Sequence, residues 1–196
     1  MKRFLIFAIL IFTAMSVWMC GRDEVEEEPE AQATTADKYE GVAVKSVEKF
    51  NYVALPHTGP FEDHEIVINQ FFQEMNKQGI RPSGQLMGIY YSDPEQVAPE
   101  SLKWKIAIPV GDSIGVKKPL EIGTWKSGEV LSYMYTGNPE GTEDVYRLFG
   151  EYMHENNLNP AGPAVERFLD EDLSQTSMDT MHIEIWFPVS GDSIGQ

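Results

Sequence analysis

The sequence has one cysteine, Cys20, in 196 residues, so no internal disulfide can form. Its four histidines, His57, His64, His154 and His182, show no paired-ligand spacing such as His-Glu-x-x-His, and no metal centre is expected from them. Glycine patterns that cradle phosphates are missing, and no cofactor is implied. Basic residues are scarce: 15 Lys and Arg face 31 Asp and Glu, a formal charge of −16. Such a field repels nucleic acid phosphates, and no basic stripe or helix-turn-helix pattern offsets it, so no nucleic acid partner is expected.

Long apolar runs are absent except at the front. Lys2 and Arg3 precede the apolar stretch Phe4 to Ala14, a charged and then hydrophobic order that signals export. Extended to Met19, the run holds 16 residues, short of the roughly 20 that a membrane-spanning helix needs. Cys20 falls where a bacterial lipoprotein carries its lipidated cysteine. The preceding Val17-Trp18-Met19 lacks the small side chains that such a signal favours. Gly21 does not resemble the inner-membrane retention signal of Gram-negative lipoproteins. The expectation is residues 1–20 as signal, Cys20 as lipidation site, and a cell-envelope location, in the outer membrane facing the periplasm. Loss of Lys2 and Arg3 would take the charge from −16 to −18. Asp23 to Glu30 holds six acids in eight residues. This stretch cannot bury enough apolar surface to fold, and residues 21–41 read as an acidic tether.

The remainder states nearly the same thing twice. Pro82-Ser83-Gly84 recurs as Pro160-Ala161-Gly162 and Thr58-Gly59 as Thr136-Gly137, each 78 residues on. Pro109-Val110-Gly111-Asp112-Ser113-Ile114-Gly115 returns near the end as Pro188-Val189-Ser190-Gly191-Asp192-Ser193-Ile194-Gly195. A duplicated unit of this length predicts a pseudo-symmetric pair with a ligand cleft between its halves. The modules span residues 42–110 and 120–189, followed by a tail at 190–196. Each opens with a strand, Phe50 to Leu55 and Val130 to Tyr135. A helix follows, with Val67, Phe71 and Met75 in the first and Val145, Leu148, Phe149, Tyr152 and Met153 in the second at helical spacing. After a Pro/Gly turn, two strands complete each module: 86–91 with 103–109, and 164–169 with 181–188. The fold class is therefore α/β (α+β): two strand-helix-strand-strand modules forming one antiparallel-sheet domain.

His57-Thr58-Gly59-Pro60-Phe61 before a helix, Gly88-Ile89-Tyr90-Tyr91-Ser92-Asp93-Pro94 after it, Pro160-Ala161-Gly162-Pro163 and Glu184-Ile185-Trp186-Phe187-Pro188-Val189 together resemble the GyrI-like, or AraC-type effector-binding, domain over residues 42–189. The resemblance implies a two-module domain with a ligand cleft at its pseudo-twofold axis. Members sense cationic aromatic drugs, inhibit gyrase or open strained rings. An export signal in place of a DNA-binding domain argues against gene regulation.

Strand alternation puts Ile183, Ile185 and Phe187 on one face and His182, Glu184 and Trp186 on the other, the cleft side. The resemblance matches Glu184 to the family's ligand-binding acid. A carboxylate beside an indole suits an organic cation. Lys105, the copy-one counterpart of Glu184, is a candidate partner that would neutralise it. Tyr133 and Tyr135, with His57 among their counterparts, and the equivalent pair Tyr90 and Phe168 complete the candidate ligand-binding set.

Three functions stay open: a tethered binder of a small amphipathic or aromatic, cationic ligand; a hydrolase of strained-ring compounds using Glu184 and Tyr133; and an envelope scaffold whose cleft is filled. Gly111-Asp112-Ser113-Ile114 also resembles an esterase nucleophile block, but it follows a closing strand and appears twice, which a repeated turn explains better.

Overall fold

The computed structural model describes residues 38–191 apart from 113 and 174. The expected signal, Cys20, most of the tether and most of the repeated Gly-Asp-Ser-Ile turn's second copy lie outside the described residues.

Nine strands form one antiparallel sheet: β1 (Ala43–Val47), β2 (Phe50–Thr58), β3 (Met87–Tyr90), β4 (Lys103–Val110), β5 (Glu121–Trp125), β6 (Gly128–Thr136), β7 (Asn159–Pro160), β8 (Ala164–Phe168) and β9 (His182–Ser190). The strands run in the order β1-β6-β9-β8-β3-β4-β2-β5, with the short β7 beside β9. Two helices, α1 (His64–Gln78) and α2 (Glu143–Glu155), complete the modules. The expected α/β class with two strand-helix-strand-strand units is what forms. Not anticipated were β1 and β5, whose exposed, polar-interrupted sequences give weak strand signals. Each leads one module yet pairs with the other: β1 with β6, β5 with β2. This exchange interlocks the halves and helps curl the sheet into a half-barrel.

The helix side carries the larger core. Val67, Phe71 and Met75 of α1 and Val145 and Phe149 of α2 are buried against Val53, Leu55, Trp104, Ile106, Leu131, Ile183 and Ile185. The opposite side has a smaller core of its own, including Tyr52, Met87, Ile89, Val130, Val165 and Trp186.

The repeated motifs prove to be structural. Gly59 and Gly137 hold φ of 155° and 146°, in the region that favours glycine, and donate their N–H to Leu102 and Met181. Ser83 and Ala161 donate theirs to Pro109 and Pro188, docking each Pro/Gly turn on its closing strand. The tether ends sooner than residue 41. Tyr39 is buried edge-on against Tyr152, with Lys38 paired to Glu151 and Glu155, because an aromatic ring at the end of a polar run gains by covering α2.

Candidate functional site

Across the centre of the sheet Gly88 pairs with Glu166, and these two residues are also equivalents under the 78-residue repeat. The pseudo-twofold axis therefore passes through this one pair, and the copies differ there as much as two residues can. Gly88 has no side chain; Glu166 puts a carboxylate on the helix side with only 6% of the residue exposed. One oxygen accepts from the Tyr146 hydroxyl at 2.9 Å and lies 3.1 Å from Thr142 Oγ1. The other accepts from Tyr90 at 3.2 Å. Among the described residues no basic side chain pairs with it.

Burial pushes the Glu166 pKa above its ordinary value, and the hydroxyls of Tyr146, Thr142 and Tyr90 only partly oppose this. Burial, followed by the neighbouring carboxylate, holds Tyr90 and Tyr146 well above ordinary tyrosine values, so both remain donors. Thr142 Oγ1 also reaches the Pro139 carbonyl at 3.0 Å, and its single proton serves only one acceptor at a time. Behind Tyr90 lies His64, its Nε2 3.3 Å from the Tyr90 hydroxyl. Burial, with the charge of His57, lowers the His64 pKa to about 4, so the ring is neutral at pH 7. With Tyr90 donating to Glu166, neutral His64 donates to Tyr90.

Aromatic rings cluster on the copy-one side of this carboxylate. His64 lies 4.3 Å from Trp104 and stacks on Phe61 at 5.6 Å, while Phe61 meets Tyr90 edge-on at 5.4 Å. Trp104 is fixed by its indole N–H to the Gly59 carbonyl at 2.9 Å. The equivalents in copy two are Thr142 for His64, Pro139 for Phe61 and Phe168 for Tyr90. Copy one thus supplies most of the rings and copy two the charge.

The residues singled out from sequence divide between the faces. Tyr90, Phe168, Tyr133, Tyr135 and His57 are on the helix side; of these only Tyr90 touches Glu166. Tyr133 lies over Gly41, Tyr135 donates to the Asn138 carbonyl, and His57 pairs with Asp63 at 2.9 Å. Glu184, Trp186 and Lys105 are on the opposite side, so the expectation that the tyrosines share a cleft with Glu184 is corrected. Leu131, Tyr133 and Tyr135 alternate onto the face that packs against the helices.

Lys105 does not reach Glu184; it pairs with Glu121 at 2.6 Å. Glu184 is neutralised by other cations, Lys45 at 2.7 Å and Arg167 against its second oxygen, and it accepts from Ser132 at 3.0 Å. Both cations lie over the Trp186 ring, at 5.4 and 4.4 Å. Burial raises the Glu184 pKa, but Lys45 and Arg167 outweigh it and hold the carboxyl below its ordinary value. A carboxylate held by two cations attracts a third poorly.

Glu166, Tyr146, Thr142 and His64 were not among the sequence candidates. Applying the repeat offset to the central strand would have exposed the Gly88-to-Glu166 change, a lone acid in an otherwise buried strand centre. Among the described residues no group of three or more His, Cys, Asp and Glu could hold a metal, and no helix is long and apolar enough to cross a membrane.

A family model described as the GyrI-like small molecule binding domain matches residues 41–190. No curated protein matches the sequence. Among solved structures, the EcmrR C-terminal domain is similar with a TM-score of 0.68 at 14% identity over 76% of this chain and 96% of that one. EcmrR in its complex with DNA gives a TM-score of 0.67 at 14% identity over 76% of this chain, which spans only 56% of the EcmrR chain. SAV2435 bound to tetraphenylphosphonium is 18% identical with a TM-score of 0.51, over 76% of this chain and 94% of that one. A hydrolase encoded by lin2189 of Listeria innocua is 13% identical with a TM-score of 0.56, over 76% and 91%.

Proposed function

Because the chain belongs to the GyrI-like small-molecule-binding family, we propose that it binds an aromatic organic cation at Glu166, on the pseudo-twofold axis between the two helices. The observation that carries this reading is a buried carboxylate capped by hydroxyls and paired with no cation. Ionising it in that setting is costly, and a diffuse positive charge with apolar arms repays the cost better than a compact, strongly hydrated one. Rings of Phe61, His64, Tyr90, Trp104 and Tyr146 stand ready to stack on such arms.

The seat is closed by its own side chains. A ligand enters as Tyr90 and Tyr146 swing from the carboxylate, each giving up a charge-assisted hydrogen bond of about 1.5–3 kcal/mol. Attraction between unit charges about 4 Å apart, about 4 kcal/mol at an effective dielectric near 20, offsets much of that loss. SAV2435, bound to tetraphenylphosphonium, supplies the probe. Titration of the protein with tetraphenylphosphonium and with neutral triphenylphosphine oxide tests the reading: saturable binding of the cation alone supports it, and equal binding of both contradicts it.

The charged front, the apolar run and Cys20 support placing this binder outside the cytoplasm, tethered through lipid on Cys20. Metabolic labelling with a radioactive fatty acid, lost in Cys20→Ala, tests the tether. A second reading, hydrolysis of strained-ring compounds, is favoured by one observation: a carboxyl of raised pKa hydrogen-bonded to a tyrosine suits general acid chemistry. The pair would be Glu166 and Tyr90, since Glu184 and Tyr133 stand on opposite faces of the sheet. Turnover of an aryl epoxide that Glu166→Gln abolishes would establish it.

A further inference from the structure

The side of the sheet opposite Glu166 carries open space. A cavity of about 410 Å³ is lined by Tyr52, Ile89, Tyr91, Trp125, Val130 and Pro163 among others. A second, of about 290 Å³, also has Tyr91 in its wall and lies at the sheet's end, where Pro56, Thr58, Lys103 and Lys105 meet His57 and Trp104 of the helix side. The shared Tyr91 places the two side by side, as a groove.

Trp125 is the most telling residue in it. Its ring stacks on Phe50 at 6.0 Å with a 12° tilt and meets Trp186 at 6.0 Å. That packing holds the indole between two rings. Its Nε1–H is buried and has no acceptor among the described residues. An indole donor shut off from water without a partner is costly, and because the Trp125 ring also lines the cavity, a turn of its edge toward that space would give the donor an acceptor there.

The charge of the groove is the reverse of the chain's. Lys103, Lys105 and Lys126 line the two cavities against a single carboxylate, Glu129. Lys105 is partly spent on Glu121, whereas Lys126 is exposed at the rim near the indole's own strand end. Tyr52 forms an apolar wall with its hydroxyl pKa pushed up to about 12, first by burial, and so adds no negative charge at neutral pH.

We propose that this groove is a second ligand site, for a planar aromatic carboxylate. Its ring lies against Trp125, Tyr52 and Ile89, and its carboxylate accepts from Trp125 Nε1–H as the indole turns its edge into the cavity, with Lys126 at the rim. The site is independent of Glu166, on the other face of the sheet, and takes ligands of opposite charge.

The test uses the full chain labelled with ¹⁵N at the indole nitrogens, which gives one cross-peak for each of its four tryptophans. The probe is 2-naphthoate, with 2-naphthylmethylammonium as the cationic counterpart. The expected result is a saturable downfield movement of the Trp125 cross-peak with 2-naphthoate. Trp125→Phe, which keeps a ring and removes the donor, should weaken 2-naphthoate binding, followed by ligand line broadening, at least tenfold. Lys126→Gln should weaken it about threefold, and neither substitution should alter the tetraphenylphosphonium titration. A Trp125 cross-peak that stays still at millimolar 2-naphthoate, or moves equally with the ammonium probe, would overturn the proposal. Unchanged binding in folded Trp125→Phe would overturn it too.

Discussion

Replacing Glu166 by glutamine removes the axis charge while keeping an oxygen for Tyr146 and Thr142 and an amide that can donate to the Tyr90 oxygen. The side chain is nearly isosteric and its site is 6% exposed, so the fold should hold. About 4 kcal/mol of attraction at close range, less the desolvation that the carboxylate itself suffers, leaves a net loss of about 2–3 kcal/mol for a monovalent aromatic cation. At 1.4 kcal/mol per tenfold change, that is roughly 30- to 150-fold in Kd. The pH dependence follows from the direction of the shift. Burial raises the folded pKa of Glu166 above its ordinary 4.5, so the carboxylate forms only as pH climbs through that raised value. Wild-type affinity for tetraphenylphosphonium should therefore rise over that interval. The stability of the unliganded protein should fall between the unfolded and folded pKa values, because the folded state there holds the proton more tightly. Glu166→Gln should show neither slope and should be at least as stable at pH 7. Isothermal titration from pH 5 to 8 with parallel urea unfolding measures both. Affinity in the variant within threefold of wild type, or a flat wild-type profile, would refute the assignment of Glu166.

Glu184 carries the opposite sign. Its folded pKa is depressed, so its contribution is present above about 4.5 and is lost as pH falls through the lower folded value. Glu184→Gln should cost about 2 kcal/mol at pH 7, discounted for a Lys45 that is nearly half exposed, and progressively less by urea unfolding as pH falls below about 4.5. In Gly88→Ala the new Cβ would overlap the Tyr90 hydroxyl, so a loss of about 1–3 kcal/mol in thermal unfolding is expected, with weaker protection of Tyr90 from chemical nitration. His64, with a folded pKa of about 4, should keep neutral imidazole NMR signals down to pH 5. Its contribution to stability should decline as pH falls from about 6.5 toward 4, since the unfolded chain takes the proton first.

The duplication was legible because its repeated residues perform local tasks. Gly59 and Gly137 adopt backbone angles that other residues avoid, and the Pro/Gly turns dock on closing prolines; both leave the same letters in each copy. Helix faces such as Val67, Phe71 and Met75 were legible for the same reason, since one helix carries its own periodicity. The exchange of β1 and β5 was not, because Ala43–Val47 and Glu121–Trp125 owe their strand state to partners some 80 residues away or across the repeat. Strand alternation placed Glu184 and Trp186 together on one face correctly. It could not say which face of the sheet β6 would present with them, so Tyr133 and Tyr135 were joined to the wrong side. Nor could it foresee that Lys45, from the exchanged strand, and Arg167 would neutralise Glu184. The axis itself emerges only from the register that sets Gly88 opposite Glu166.

The most direct measurement is a crystal structure of the complex with tetraphenylphosphonium at pH 8. The account places the phosphonium on the helix side beside the Glu166 carboxylate, with Tyr90 and Tyr146 turned away and rings of Phe61 and Trp104 against its phenyl arms. A phosphonium seated in the groove on the other face, with Glu166 still capped by Tyr90, Thr142 and Tyr146, would contradict it.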